Sequence, residues 1–242
     1  MLIIIVPYRD REAQKDVFIP HMKAFLKRKN IKYKICFIEQ SDDGRPFNLG
    51  ATKNIGYLEM KKRFANPDNT NLTYCHHNID ILPKSDECIY ELRDQNTVYN
   101  PYGVKHCYAK IYFYSGEVYE HINGNPNNYW GWGIEDVCMQ ARADVRGVRT
   151  DRTGFEWLFE GKKFMETPGA ENTKAWPKGN VDQLIALYYY EAAHKETSDL
   201  NGLSNIKYTV LSVDEESTEE NVIHIVVNID MPCDLETRVF TP

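Results

Sequence analysis

The chain has 242 residues, enough to bury a full core in one large domain, which excludes a miniature scaffold stapled by disulfides. Its 29 Lys plus Arg against 35 Asp plus Glu give a net charge of -6, with no long basic run, so nucleic acid is excluded as a partner. Composition is near the globular average, at 42% hydrophobic and 26% charged. No apolar stretch reaches the roughly 18 residues of a membrane span, and Met1 to Val6 lacks the basic region of a secretory signal. The expectation is a folded protein, cytoplasmic or otherwise soluble. Six scattered cysteines without a C-x-x-C pair argue against a structural zinc site and for free, mostly buried thiols, although Cys75 and Cys88 could pair.

Leu2 to Val6 is a continuous apolar run ending at Pro7, the profile of a parallel strand covered on both faces. Arg11 to Asn30 follows with helical spacing, Val17, Phe18, Met22, Phe25 and Leu26 inward and Pro20 as a kink. Tyr33 to Gln40 is the second strand, Asn48 to Phe64 the second helix with Leu49, Ile55 and Leu58 inward, and Leu72 to Tyr74 leads a third strand towards Asp80, Ile81 and Pro83. This alternation predicts an α/β fold with right-handed crossovers. Further on come a strand at Tyr108 to Tyr114, a short helix at Glu117 to His121 and a turn cluster from Asn123 to Asn128. A helix over Glu135 to Val145 starts with acids and is closed by Gly147. Gly161 to Trp176 reads as a loop, Val181 to Ala193 as a helix, and Tyr208 to Val213 with Val222 to Ile229 as a final antiparallel pair.

Three places carry chemistry. Pro7-Tyr8-Arg9-Asp10-Arg11 puts two arginines at the carboxyl end of the first strand, where α/β sheets bind ligands and guanidinium forks suit phosphate oxygens; a solvated helix start is the plain alternative. Asn78-Ile79-Asp80 ends another strand, either as a phosphate or ion site or as a turn. The third is Asn123-Gly124-Asn125-Pro126-Asn127-Asn128-Tyr129-Trp130-Gly131-Trp132-Gly133-Ile134-Glu135-Asp136. Tryptophans interleaved with glycines pack poorly as helix or strand, whereas a flat aromatic face beside carboxylates suits a sugar ring and its hydroxyls. A carboxylate against an aromatic wall is also a candidate general base.

The order V-P-Y-R-D-R, F-N-L-G-A-T-K-N-I-G, N-I-D-I-L-P and I-N-G-N-P-N-N-Y-W-G-W-G-I-E-D resembles the β-1,4-galactosyltransferase family of A-type glycosyltransferases, from residue 2 to about 230. The resemblance implies an A-type fold with a mostly parallel central sheet flanked by helices and a small antiparallel C-terminal pair. It implies one domain, 1–242, in which residues 1–83 bind nucleotide and residues 84–242 bind acceptor. The implied reaction is inverting transfer of a hexose, galactose foremost, from a UDP-sugar to a saccharide or glycoconjugate acceptor, with Mn²⁺ or Mg²⁺. By the same resemblance Pro7, Arg9, Arg11, Phe47, Asn48, Ile79, Asp80 and Trp132 bind the nucleotide sugar, and Asp80 and Met165 ligate the metal. Asp136 is the base with Glu135 beside it, and Trp132, Gly133, Ile134, Glu135, Asp136, Tyr188 and Tyr189 meet the acceptor.

The sequence departs from the family's pattern in several places. Asn78 replaces the first Asp of D-x-D, Leu49 replaces the Arg of F-N-R, and Pro168 stands at the His of M-x-x-H. Val137 and Cys138 replace further acids, and Tyr188, Tyr189 and Ala192 occupy the region that holds the acceptor's N-acetyl group. Metal binding is expected to be weaker than in the family, and the acceptor to differ from terminal N-acetylglucosamine. N-acetylgalactosaminyl or glucuronyl transfer, or sugar binding without catalysis, are the competing readings.

Overall fold

The computed structural model describes residues 1–65, 71–131, 133–158, 160–167, 195–215 and 221–233. At its centre is β1 (Leu2–Tyr8), buried at all seven positions. It lies parallel between β2 (Tyr33–Gln40) and β3 (Thr73–His77), in registers that open at Leu2↔Tyr33 and Leu2↔Thr73. Successive side chains of a strand point to opposite faces, and β1 divides its apolar run accordingly. Ile3 and Ile5 join one core with Ile55, Tyr57 and Met60 of α2 (Leu49–Phe64). Leu2, Ile4 and Val6 join the other with Phe18, Met22, Phe25 and Leu26 of α1 (Glu12–Arg28). A strand sandwiched between two helical layers has no polar face to show, which is why it is written as an unbroken apolar run.

Beyond β3 come β4 (Ile81–Pro83), β5 (Thr97–Gly103), β6 (Ile111–Ser115), α3 (Gly116–His121), α4 (Glu135–Val145), β7 (Arg149–Asp151), β8 (Glu156–Trp157) and β9 (Phe164–Glu166). The described chain ends with α5 (Lys195–Leu200), β10 (Tyr208–Asp214) and β11 (Val222–Ile229). The main sheet runs β10-β11-β2-β1-β3-β6-β5-β7, with β8 also beside β5. β6 is antiparallel to both β3 and β5, and β4 pairs with β9 in a separate small ribbon. The C-terminal pair is antiparallel as expected, but β11 also lies parallel to β2, so it extends the main sheet.

Several elements differ from the sequence reading. Val17 is 48% exposed, and Pro20 sits inside a helix that continues to Arg28. β6 begins at Ile111 because Lys110 turns the chain with φ 65°. β5 went unread because T-V-Y-N-P-Y-G contains a proline without an amide donor. The register slips between Tyr99 and Tyr102, and the buried Asn100 amide fills the gap, donating to the carbonyls of Ile111 at 2.7 Å and Tyr102 at 3.2 Å. Phe164–Glu166 is a strand within the stretch read as loop; the remainder of that stretch from 168, and the helix read at 181–193, lie outside the described residues. The cysteines are free, with Cys36, Cys75, Cys88, Cys107 and Cys138 buried.

α2 lies close on β1 and β2. A Cβ added at Gly56 would collide with the buried side chain of Ile5 and approach Ile38. Helix propensity alone favours alanine over glycine by about 1 kcal/mol. Overpacking is expected to win, so Gly56→Ala should lower unfolding stability by about 1–3 kcal/mol in urea titration; a stabilised variant would contradict this packing.

Candidate active site

The carboxyl ends of β1, β2 and β3 lie along one edge of the sheet, because these strands run parallel. At the tip of β1 the Arg9 guanidinium donates to the Arg45 carbonyl at 3.0 Å and lies 5.4 Å from the centre of the Phe47 ring. The two stretches singled out as nucleotide-binding therefore meet in space. Arg11 is half-buried at the start of α1, and Pro7 is buried within β1. Arg45 is itself anchored, 4.6 Å over the Trp130 ring and donating to the carbonyls of Ile229 and Met231. Its guanidinium bonds Asp43 and holds that carboxyl below the usual range.

Asn48 is buried and caps α2, its Oδ1 accepting from Ala51 N at 2.9 Å. Its amide Nδ2 donates to the Asn127 carbonyl at 2.7 Å, and its backbone N donates to Gln40 Oε1 at 2.7 Å. Next to it, Gly131 N donates to the Phe47 carbonyl at 2.9 Å. One residue pair, Phe47-Asn48, thus ties the tip of β2 to the start of the W-G-W-G segment.

The asparagine-rich run is a buried scaffold where the sequence suggests only a turn. Asn54 of α2 accepts from Asn125 N at 2.9 Å and donates to the Asn125 carbonyl at 2.7 Å and to Asn127 Oδ1 at 2.8 Å. Asn127 donates onward to the Gly202 carbonyl and Asn205 Oδ1, and its backbone N to Asn201 Oδ1. Asn123 completes the join by donating to the Ser198 carbonyl at 2.8 Å. The density of asparagine in both 123–128 and 201–205 is the sequence signal for this network.

From that scaffold the chain reaches α4 through Gly131 (φ 88°), Gly133 (φ 101°) and Ile134 (φ 76°). A left-handed isoleucine is a true outlier, and such strain collects at functional sites. Glu135 and Asp136 are the first two residues of α4, where the helix dipole favours negative charge. Glu135 is 4% exposed and faces Lys53 Nζ at 3.7 Å. Asp136 is half-buried; its Oδ1 accepts from Val137 N at 2.8 Å. The buried Cys107 thiol lies close enough to the Asp136 carboxylate to feel its charge and, mainly through burial, is pushed up. Tyr108 N donates to the Asp136 carbonyl at 3.3 Å. Trp132, Tyr188 and Tyr189 lie outside the described residues.

Two residues beyond Tyr108 stands Lys110, which reaches the remaining motif. Its carbonyl accepts from Asn78 N at 2.9 Å, and its Nζ lies 3.1 Å from Asp80 Oδ2 and 3.5 Å from Glu166 Oε1. Ile79 is buried in the apolar core, fixing the turn that presents Asp80. Asp80 Oδ1 is buried and has no hydrogen-bond partner among the described residues. Met165 sits on β9 opposite Leu82. Among the described residues, no three His, Cys, Asp or Glu side chains gather as a metal cluster. The segment 107–110 therefore links the acidic pair to Asp80, and Lys53, Cys107 and Lys110 are members of this edge that sequence reasoning missed. A separate cleft of about 700 Å³, lined by residues including Asp94, Asp144, Arg149 and Arg152, contains none of the residues of this edge.

Residues 1–93 match the family model for the N-terminal region of glycosyl transferase group 7, and residues 95–164 match the N-terminal domain of galactosyltransferase. The chain is 29% identical to β-1,4-galactosyltransferase 4 of Cricetulus griseus over 90% of its own length and 61% of that relative's. It is 29% identical to β-1,4-galactosyltransferase 7 of Homo sapiens over 87% of its length and 62% of the relative's. It thus spans about three fifths of the curated relatives it matches. The catalytic domain of Drosophila β-1,4-galactosyltransferase 7 in complex with xylobiose superposes with a TM-score of 0.75 at 24% identity, covering 99% of both chains. A mutant of that enzyme solved with manganese, UDP-Gal and xylobiose gives 0.70 at 24% identity, covering 96% of this chain and 94% of that one. These structures share the A-type glycosyltransferase fold. With two family models matched in succession and the sequence motifs gathered on one sheet edge, the chain belongs to the β-1,4-galactosyltransferase family.

Proposed function

We propose that this chain is an inverting glycosyltransferase that moves a hexose, galactose foremost, from a UDP-sugar to a saccharide acceptor in β linkage. The observation that carries the reading is the link from Asp136 through Tyr108 and Lys110 to Asp80, which sets two carboxylates of the candidate motifs on one edge of the sheet. The relatives' names support galactose, and the structural neighbour's complex supports UDP-Gal as donor, a saccharide as acceptor and manganese as the ion.

In this reading residues 1–83 supply the donor end and 84–242 the acceptor end of one transferase unit. Pro7, Arg9, Arg11, Phe47, Asn48 and Ile79 form the nucleotide's seat, with the Arg9 guanidinium beside Phe47 placed for base or phosphate contact. The acceptor hydroxyl oxygen bonds to the anomeric carbon from one face while the bond from that carbon to the β-phosphate oxygen breaks on the other, and the nucleoside diphosphate departs. Asp136 takes the hydroxyl proton, and Val137 N, donating to its Oδ1, keeps the carboxylate in one orientation. Gly133, Ile134, Trp132, Tyr188 and Tyr189 complete the acceptor's surroundings. Asp80 and Met165 would hold the metal: Asp80 has one buried oxygen without a partner among the described residues, and two protein ligands suffice only when diphosphate oxygens and water fill the set. An ion there would supply positive charge at the leaving oxygen. The free cysteines support a reducing, cytoplasmic location, and no helix among the described residues is long and apolar enough to cross a membrane.

Screening UDP-galactose, UDP-glucose, UDP-N-acetylgalactosamine and UDP-glucuronate by thermal shift and labelled-sugar transfer tests the donor assignment. Galactose should give the fastest transfer; stabilisation by none of the four would overturn the enzyme reading. Asp136→Asn should bind UDP as the parent does yet lose transfer about 10²- to 10⁴-fold, the scale of a general base, and normal turnover would remove Asp136 from that role. Arg9→Ala should weaken UDP binding about tenfold or more in calorimetry, since a charge-assisted bond is worth about 1.5–3 kcal/mol; unchanged affinity would place the nucleotide elsewhere.

Glu135 adds a pH signature. Burial first, and the neighbouring Asp136 charge second, push its carboxyl up to about 7 from 4.5, with Lys53 opposing. The folded chain then retains a proton that the unfolded chain releases, so the stability from this group is full below the unfolded value and is lost as pH rises through the folded one. Melting temperatures of wild type and Glu135→Gln should draw apart over that window, the wild type losing stability relative to the variant with rising pH. Parallel curves would show that Glu135 titrates as an ordinary exposed acid.

A further inference from the structure

A departing diphosphate needs positive charge close to its oxygens. The N-I-D turn contributes one carboxylate, since Asn78 is neutral, and half of that carboxylate is already engaged: Asp80 Oδ2 pairs with Lys110 Nζ at 3.1 Å, leaving Oδ1 buried and without a partner among the described residues. The same ammonium lies 3.5 Å from Glu166 Oε1, so it donates to one acid in the turn and stands beside a second on β9.

The backbone beneath Lys110 is as specific as its contacts. It stands at φ 65°, a left-handed conformation that a lysine seldom adopts without a reason. Its carbonyl accepts from Asn78 N at 2.9 Å, and the next residue, Ile111, donates to the Ala109 carbonyl at 2.8 Å. One residue thus grips the N-I-D turn twice, by main chain at Asn78 and by side chain at Asp80. Its stem is mostly covered, with the side chain 21% exposed. An ordinary surface ion pair needs none of this, because it is worth little and is readily exchanged for water.

We propose that Lys110 is a fixed cation for the donor diphosphate, so that UDP binds this chain with appreciable affinity even without a divalent ion. The inference rests on the nucleotide-sugar reading above. The ammonium competes with an ion for Asp80 and serves much the same purpose, donating to phosphate oxygens as negative charge gathers on them. No bond to Lys110 forms or breaks.

Calorimetric titration of the full chain with UDP, once in excess EDTA and once in Mn²⁺, tests this by binding alone. The wild type should bind UDP in EDTA within about tenfold of its affinity in Mn²⁺. Lys110→Met should lose about 10- to 100-fold of the metal-free affinity, the scale of one charge-assisted bond, and recover most of it in Mn²⁺, which also reports that it is folded. Lys110→Arg should retain metal-free binding. Wild-type binding seen only in Mn²⁺, or metal-free affinity unmoved in Lys110→Met, overturns the role of Lys110 while leaving the nucleotide reading intact. UDP binding by no protein under either condition overturns both.

Discussion

The buried amide of Asn54 is the joint on which the site depends. Its carbonyl oxygen accepts from Asn125 N and from the Tyr119 hydroxyl, and its nitrogen donates to the Asn125 carbonyl and Asn127 Oδ1. All of an amide's strong bonding capacity is used in a place that water does not reach, so losing any one partner strands the others, and the penalty exceeds that of a single bond. The asparagine loop rests directly on the helix: a Cβ at Gly50 would meet the Pro126 carbonyl, and one at Gly124 would meet Asn54 Oδ1. Beneath it lies a layer of tyrosines, with Asn125 Nδ2 donating to the hydroxyls of Tyr119 at 2.8 Å and Tyr112 at 3.2 Å. α2 therefore positions the acidic pair through the loop that leads into it. Lys53, one residue before Asn54, extends that control by meeting Glu135 directly.

Charge is distributed along this edge in small, opposed groups. Arg9 stands at one end beside Phe47, Lys110 at the other beside Asp80 and Glu166, and Lys53 lies behind Glu135. The overall charge is negative, so the anionic donor of the proposed function would be drawn by these local cations and not by the protein's net field. Burial sharpens the arrangement. His76, beneath the loop, is held neutral well below its usual range by burial and by Lys53. A neutral imidazole can share hydrogen bonds with Tyr112 and Tyr114, where an imidazolium would add a second buried cation beside Lys53.

Much of this was legible in the letters. β1 could be read because a strand covered on both faces has no alternation to disguise, and α2 and α4 because Asn48 caps one and Glu135-Asp136 open the other. The site motifs were legible through their family resemblance, and Arg9 with Phe47, and Phe47 with Gly131, do meet. What stayed hidden was long-range compensation. β5 carries a proline and an asparagine that discourage a strand reading until Asn100 is seen filling the register slip. The asparagine run reads as a turn because local propensity contains no term for partners some 70 residues away. Lys110 gives no signal at all, since a lone lysine before a strand is common and its role depends on where β3 and β6 place it.

The proposed function comes down to placement: it requires a diphosphate at the tips of β1 and β3 with the Asp136 carboxylate addressing the sugar it carries. A crystal structure of the chain with UDP and manganese would decide the matter. Phosphate density is expected beside Asp80 and Lys110, the uracil end towards Arg9 and Phe47, and the Asp136 carboxylate open to the space next to the β-phosphate. Nucleotide bound in the cleft near Arg149 and Arg152, or Asp136 turned away from the phosphates, would contradict it.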